Sequence, residues 1–525
     1  MEFLKGNTVG IDLGTTFSAL AQVNDEGEPI PIPNEDDDIE TASLILLAES
    51  KHVIVGPNRN RAAMEDPENV IERIKRQMGV THYKREFDGH AITPEFVSSL
   101  ILRKLKQDGE KRIGPIANAV ITVPYYFNDT RRKATQDAGK IAGLNVVSII
   151  NEPTAAALTY AWHRGELGHA TSVDKPRRIL IYDLGGGTFD STVVEYTSNS
   201  FHVISTDGDV KLGGVDWDDR LADYVCEEFQ KKYGVSPHQS AKVIQILRND
   251  CNTAKMILTD KENTTISCRF DGKSLTVPVT RKLFEELTYD LLQRTQDTTE
   301  YVIDQAELTF NDLDAIVLIG GSTLMPQVPI MLEKLTGKKP YINANLDPHT
   351  AVARGAAIHA AILEAKYNPS SQMNERVKKL LETVHEEDVN SHGLGIVATD
   401  RSKNQVVNHI MIPRNTTLPY SISQTFQTNK DNQERISVQV LEGDAPDPTA
   451  CALLGKCRIT QLPPNLPKGT PVEVTYSFDK TGRISVTARE KTSNHEAKID
   501  IERHGTLSED EVVQFTELSS EYVVE

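Results

Sequence analysis

A repeat constrains this chain more than any other feature. Thr8-Val-Gly-Ile-Asp12-Leu-Gly14-Thr-Thr16 recurs as Leu180-Ile-Tyr-Asp183-Leu-Gly185-Gly-Gly-Thr188, each an apolar strand that reaches an aspartate and then turns on small residues. A third run, Ala315-Ile-Val-Leu-Ile-Gly320-Gly321-Ser322-Thr323, ends a strand in paired glycines. Glycine and threonine strip bulk from a turn, so backbone amides and hydroxyls can approach phosphate oxygens closely. An aspartate at the strand end supplies oxygen to a magnesium ion, directly or through its water shell. Two such hairpins facing each other across a cleft would clamp a triphosphate from both sides. One isolated Asp-Leu-Gly-Thr-Thr reads equally well as a plain tight hairpin. Three matched elements in one chain argue against coincidence, and the absence of Gly-x-x-x-x-Gly-Lys-Ser/Thr excludes a P-loop enzyme.

The grammar of the chain changes along its 525 residues, a length that implies two to four domains. Residues 1–367 alternate β-rich apolar runs with helix-periodic stretches, as in Ala119–Val123 followed by Asp129–Gly143, which predicts an α/β domain. Residues 368–392 read as a partly helical, acidic linker: Val377, Leu380, Leu381 and Val384 fall on one helical face, and Val384-His-Glu-Glu-Asp388-Val389 follows. Residues 393–505 turn to short alternating strands, such as Ile436-Ser-Val438-Gln-Val440, and predict an all-β sandwich. Residues 506–525 open with Leu507-Ser508-Glu509-Asp510-Glu511, a capping box for one short terminal helix.

Charge and composition narrow the function classes. With 57 basic and 75 acidic residues the net charge is −18, which repels phosphate backbones and argues against nucleic acid as a partner. The first ten residues carry no signal-peptide core and no segment reaches the roughly 20 apolar residues of a bilayer span, so a cytoplasmic protein without a membrane role is expected. Cys226, Cys251, Cys268, Cys451 and Cys457 are odd in number and form no Cys-x-x-Cys pair, so they read as reduced structural thiols. Glu35-Asp-Asp-Asp38 lacks the glycine and terminal glutamate of a calcium loop, and the 14 histidines include no zinc signature.

The segments Val9–Ser18, Asn118–Ala138, Asn151–Ala157, Ile181–Asp190, Gly208–Gly214 and Val317–Thr323 closely resemble the heat-shock protein 70 (DnaK-type) chaperones, in that family's order. Val123-Pro124-Tyr-Tyr-Phe127-Asn128-Asp129, Ile150-Asn151-Glu152-Pro153-Thr154 and Asp183-Leu-Gly-Gly-Gly-Thr-Phe-Asp190 carry the resemblance most specifically. Asn415-Thr-Thr-Leu-Pro419, Asp431-Asn432-Gln433 and Val440-Leu-Glu-Gly443 resemble the family's peptide-binding β-sandwich. The resemblance implies a two-lobed actin-like ATPase domain coupled to a domain that grips extended hydrophobic peptide.

Carried over position by position, the resemblance implies phosphate contacts from Gly14, Thr15, Thr16, Phe17, Gly185, Gly186, Gly187 and Thr188, with Gly213 and Gly214 beside them. Asp12 and Asp183 would hold Mg2+ through water, with K+ as a further ion. Lys75 would position the attacking water and stabilise charge on the γ-phosphate, with Thr188 and Glu152 completing the catalytic set, although a lone lysine usually reads as a surface cation. Pro124, Arg132 and Glu152 match the relay that passes nucleotide state to the neighbouring domain. At the adenosine end Lys255, Gly320, Gly321, Ser322 and Thr323 match, but Asn252 replaces the usual glutamate, Leu324 an arginine of many members, and His349 and Val215 acidic residues near the cleft. Met256 and Leu324 could hold a purine face by dispersion.

Leu394, Ile396, Phe426, Ile436 and Val438 match the family's pocket for an apolar peptide side chain, with core packing as the alternative for each. Thr399 and Asn429 replace residues that arch over the bound peptide. The acidic linker departs from the family's leucine-rich one, so docking by a hydrophobic strand is expected to be replaced. Only the start of the family's helical lid, Ser508–Glu525, is present, which predicts fast peptide release. The expected partners are unfolded polypeptides, a J-domain protein and a nucleotide exchange factor. Two rivals stay open at this point: a nucleotide-gated scaffold with little ATP turnover, and a small-molecule kinase on the same fold.

Overall fold

The computed structural model describes residues 2–48, 51–56, 68–80, 82–83, 85–168, 175–341, 346–400, 405–428, 430–432, 435–459, 466–478, 484–491, 496–500 and 506–525. Asn429 and Gln433 therefore lie outside the described residues, as does the side chain of Cys457.

The repeat builds two related sheets. In the first, β1 (Asn7–Asp12) runs antiparallel to β2 (Phe17–Val23), which pairs with β3 (Pro29–Ile32). On its other side β1 runs parallel to β4 (Ile116–Val123), which pairs in parallel with β5 (Asn145–Asn151). The second sheet repeats this plan. Its β6 (Arg177–Leu184) is antiparallel to β7 (Phe189–Tyr196), β7 to β8 (Ser200–Asp209), and β6 is parallel to β9 (Ala315–Ile319). Asp12 and Asp183 end the equivalent strands β1 and β6, so each sheet delivers one aspartate to the same side.

Helices cover both sheets: α1 (Pro94–Ile113), α2 (Asp129–Ile141), α3 (Glu152–His163), α4 (Gly214–Tyr233) and α5 (Ala241–Asp260). Local sequence sets their starts: the Asn128 side chain accepts the Arg131 N–H at 3.1 Å, and Ser240 caps α5 through Val243. A further helix, α6 (Ala351–Tyr367), is buried on most sides because it is built from alanine and glycine. It lies against β1 so closely that a Cβ on Gly10 would stand 2.0 Å from the Ala357 nitrogen. Small residues there let helix and strand backbones approach, at the cost of tolerating no added carbon.

The linker forms α7 (Glu375–Leu381), which buries Val377 and Leu381 as the spacing predicted, and then β10 (His385–Glu387). Here the hydrophobic strand is indeed replaced, but strand docking itself is kept: the acidic β10 pairs in parallel with Ser200–His202 at the edge of the second sheet. Edge pairing uses main-chain groups, so acidic side chains do not prevent it, and Val384 and Val389 are buried on either side. Glu386 meets His359 at 2.6 Å and Glu387 lies 3.7 Å from His202.

The β-sandwich pairs one sheet of β11 (Leu394–Asp400), β12 (Gln405–Ile412), β14 (Ile436–Glu442) and β15 (Ala452–Ile459) with a second sheet of β13 (Tyr420–Gln427), β16 (Pro471–Phe478), β17 (Ile484–Glu490) and β18 (Glu496–Asp500). Its core includes Ile396, Val438, Val474, Tyr476 and Val486. The terminal helix α8 (Glu509–Glu521) starts with the anticipated capping box: Ser508 accepts from the Glu511 N–H, and Glu511 accepts from the Ser508 N–H. Read from sequence as the start of a lid, this segment packs against α1 and α2 of the first lobe. The Phe515 ring, tilted, and the Tyr522 ring, edge-on, each meet the Phe96 ring with centroids 5.7 Å apart, and Val523–Val524 adds a strand beside His52–Val53.

The tight contact at Gly10 predicts that Gly10→Ala destabilises the first lobe by about 3 kcal/mol, the upper range for overpacking. A melting temperature equal to that of the unsubstituted protein would contradict this packing account.

Candidate functional site

The two repeat turns meet face to face between the sheets. A Cβ on Gly186 would lie 2.1 Å from Thr16 Oγ1, and one on Gly187 2.4 Å from Thr15 Oγ1. Larger residues at 186 or 187 would fill the gap that the turns enclose. Backbone bonds then lock the second turn to its support: the Gly185 N–H donates to Thr188 O, and the Gly214 N–H to Gly185 O at 2.9 Å. The third turn joins this frame through Ser322, whose hydroxyl donates to Gly185 O at 3.0 Å.

Between them lies a cavity of about 440 Å3. Among the residues singled out from sequence, its walls include Asp12, Gly14, Thr15, Thr16, Phe17, Lys75, Glu152, Asp183, Gly185, Gly186 and Thr188 at one end. At the other end stand Asn252, Lys255, Met256, Gly320, Gly321, Ser322, Leu324 and His349. Gly187, Gly213, Gly214 and Thr323 stand behind this wall; Thr323 holds the third turn by donating to Gly320 O at 2.7 Å. A more open depression of about 680 Å3 on the first lobe is lined by Glu35, Lys104 and Lys111, whose charges are spent on one another.

Charge at the Lys75 end is strongly unbalanced. Lys75 and Glu152 are 5% and 6% exposed and form an ion pair at 2.5 Å. Asp183 and Asp190 are buried beside them, and Asp12 is half-buried. Burial raises the Asp12 carboxyl, with Lys75 and a hydrogen bond from Thr122 at 2.8 Å opposing it. Burial, then repulsion from Glu152, Asp190 and Asp12, pushes Asp183 far above the usual carboxylate range. Burial likewise lifts Glu152 to about 7 against the pull of Lys75, and lifts Asp190 to about 7 against hydrogen bonds from the Tyr125 and Tyr126 amides. For Lys75 burial works against the ammonium, but Glu152, Asp12 and Asp183 more than offset it and keep the side chain charged.

Such an excess of buried carboxylate fits a cation between Asp12 and Asp183. Among the described residues no group of three or more His, Cys, Asp or Glu is arranged to hold an ion directly. The donor set suits Mg2+, which keeps much of its water and shares its coordination with phosphate.

The wall near Asn252 and Lys255 contains residues that the sequence reading passed over. Asp218, buried in the first turns of α4, accepts from Lys255 at 2.8 Å and from the Asn252 amide at 3.1 Å. It was legible in Gly213-Gly-Val-Asp-Trp-Asp218, where a helix begins on paired glycines next to the cavity. Glu40, Thr259 and Asp260 also line the cavity, without a local motif to announce them. Met256 and Leu324 are 62% and 47% exposed at the mouth, an apolar pair available to a flat ligand.

Hydrogen bonds run from the Lys75 end of the cavity to the linker. Arg132 donates to Tyr125 O and Phe127 O at 3.0 Å, fixing the loop that begins at Pro124. In that loop the Tyr125 N–H donates to Asp190 at 3.0 Å, while its hydroxyl donates to Val389 O at 2.7 Å and accepts from Val389 N at 3.0 Å. Thr154, one turn into the helix that Glu152 begins, donates to Asp388 at 3.1 Å. The sequence reading missed Tyr125, Thr154 and Asp388 as linker contacts, because a linker's docking face has no local signal.

In the β-domain, Leu394, Ile396, Ile436 and Val438 are buried between the two sheets, with Val472, Val474 and Tyr476. Phe426 is half-buried against this cluster, with the His409 ring edge-on at 5.4 Å. Thr399 is exposed near the end of β11.

Comparison with known proteins agrees with this geometry. The family model described as "Hsp70 protein" matches residues 8–525. "Chaperone protein DnaK" of Thermotoga petrophila and of Thermotoga maritima are each 38% identical over 523 residues, covering 98% of this chain and 83% of the relative. The same protein of Thermotoga neapolitana is similar to the same degree.

If the carboxylates are raised as described, Mg2+–ADP binding at pH 7 releases protons, because added positive charge lowers groups that titrate near 7. Calorimetry in buffers of different ionisation enthalpy measures this release; ADP with a chelator should release fewer. Binding heats independent of buffer would contradict the assignment.

Proposed function

Because this chain belongs to the heat-shock protein 70 family and is an ATP-hydrolysing molecular chaperone, we propose that the cavity between the repeat turns is its ATPase site and that β10 carries its state to the β-sandwich. The observation that carries the reading is the buried Lys75–Glu152 pair among Asp12, Asp183 and Asp190, flanked on both sides by glycine–threonine turns.

On this reading the lobes are those of an actin-like domain, spanning 1–367, with 368–392 as linker and 393–505 as the peptide-binding sandwich, while 506–525 packs on the first lobe and not over the sandwich. Backbone amides and hydroxyls of Gly14–Thr16 and Gly185–Thr188 would hold the phosphates, and Asp12 and Asp183 would hold Mg2+ through water, with K+ as a further ion. Mg2+ supplies charge neutralisation to the transferring phosphoryl group. Lys75 holds the attacking water in line and meets charge developing on the γ-phosphate, while Thr188 and Glu152 fix its surroundings. In phosphoryl transfer such positioning and electrostatics supply most of the catalysis. The ribose and base lie toward Asn252, Lys255 and Met256, with Leu324 across the mouth.

Signal passes outward by hydrogen bonds. Asp190 holds the Tyr125 amide, and the Tyr125 hydroxyl holds both main-chain groups of Val389. The α3 turn carrying Glu152 also holds Asp388 through Thr154. A shift at the phosphate end therefore acts on the linker, and through it on the sandwich where Leu394, Ile396, Phe426, Ile436 and Val438 form the peptide pocket. Those side chains are packed together here, so admitting a peptide side chain requires the two sheets to part. A J-domain protein and a nucleotide exchange factor would act on this cycle. Among the described residues no helix is long and apolar enough to cross a membrane.

Lys75→Ala should lower single-turnover hydrolysis by about 100-fold or more, as loss of an oriented electrostatic donor does, while nucleotide still binds. Normal hydrolysis by this variant would overturn the catalytic assignment. Tyr125→Phe removes both hydrogen bonds to Val389 and leaves a buried amide unmet, a cost of about 1–3 kcal/mol on docking. Stimulation of hydrolysis by peptide should fall severalfold, with unstimulated turnover nearly unchanged; undiminished stimulation would exclude Tyr125 from the relay.

A further inference from the structure

One ionic contact crosses the mouth of the cavity. Glu40 immediately precedes Thr41–Ala42, which pairs with β2 of the first sheet. His349 stands on the loop beyond β9, anchored to the second sheet where the Gly320 N–H donates to Pro348 O at 3.1 Å. Its ring lies over Gly321, where a Cβ would come within 2.6 Å of Cε1. From there Nδ1 reaches Glu40 at 3.2 Å from Oε2 and 3.3 Å from Oε1. Both side chains line the cavity and are partly shielded, with 35% and 24% of their surface exposed. Any opening that frees a ligand from between the lobes must part Glu40 from His349.

We propose that Glu40 and His349 form a proton-operated latch across the nucleotide cleft, which slows ADP release when His349 is charged and lets go when it is neutral. The inference rests on reading the cavity as the nucleotide site. Histidine is the side chain whose charge changes near neutrality, so this position makes release sensitive to physiological pH.

The groups facing His349 act in one direction. Glu40 faces it from the first lobe, and Asp347 from its own loop, where the Asp347 carboxylate accepts the His349 N–H at 3.1 Å. The adjoining turn, Gly320–Leu324, and the first residues of α6, Ala351–Ala353, carry no ionisable side chain. Behind Glu40 stands Asp12, close enough for mutual repulsion. The hydrogen bond to Glu40 raises the imidazole; burial opposes it, and the charges of Glu40 and Asp347 add to the rise. A group raised by its partner stabilises the paired state fully below its free value, about 6.5, and loses that contribution as pH climbs through the raised value. The latch is therefore shut on the acid side and released on the alkaline side.

The test is stopped-flow release of N-methylanthraniloyl-ADP from the full chain, chased with unlabelled ADP between pH 6 and 8.5. A partly exposed pair holds weakly, so release should quicken by roughly threefold across this range at low salt. The acid-side slowing should also shrink as salt screens the pair. His349→Gln and Glu40→Gln should each release at the alkaline rate throughout, and the double variant should be no faster than either. If His349→Gln keeps the unsubstituted pH profile, or the two effects add, the latch is wrong. Should Glu40→Gln fold poorly, the profile and salt response of His349→Gln decide alone. Hydrolysis by Lys75→Ala, measured in parallel, separates the readings. Normal turnover there overturns the site, whereas lost turnover with an unaltered His349→Gln profile overturns only the latch.

Discussion

Buried negative charge governs the centre of this molecule. Asp12, Glu152, Asp183 and Asp190 are gathered around Lys75 in the space between two sheets, and one ammonium cannot balance them. Charges taken out of water must be paired or neutralised, and here burial favours protons on the carboxyl groups. A cation carrying a polyphosphate would exchange those protons for metal, with the phosphate oxygens taken up by the glycine–threonine turns. The turns, the aspartates and the lysine thus answer one physical demand. Their meeting depends on the repeated sheet plan, which ends β1 and β6 at the same place.

From this centre to the β-domain the path is made of short polar contacts on rigid elements. Asp190 sits on β7, Thr154 in the first turn of α3, and Tyr125 in the loop just beyond β4, so none of the three can shift without the element that carries it. Tyr125 and Thr154 contact the linker at Val389 and Asp388, and Asp190 holds the Tyr125 amide. Beyond Val389, His392 reaches Tyr126 O at 3.2 Å, and Arg414 meets Asp207 and Thr206 of β8. The sandwich is docked through main-chain and charged groups more than by a broad apolar face, an arrangement suited to reversible separation.

The sequence made the α/β layering, the repeat and the phosphate turns legible because each is a local pattern: strand, acid, small-residue turn. The α8 capping box was legible for the same reason. Linker docking was not, since β10 is held by main-chain pairing with Ser200–His202 and by the separated partners His359 and Thr154. Nothing in Val384–Val389 announces those distant contacts. The place of α8 was equally hidden: its aromatic residues meet Phe96 from the far end of the chain. Asp218 and Glu40 belong to the cavity through tertiary placement, and a site inferred from motifs alone stops at the motif's edge. For the sandwich residues the strand pattern fixed their inward direction, while the choice between core and pocket depends on how the two sheets separate.

The central claim is that the Lys75 cavity hydrolyses ATP and that peptide reaches it through Tyr125 and the linker. Single-turnover release of phosphate from preloaded Mg2+–ATP, with and without an unfolded peptide, tests this most directly. The account predicts slow release that peptide accelerates. Release at one unchanging rate would show that the hydrogen bonds from Asp190 to Val389 carry no signal, and the coupling described here would fail.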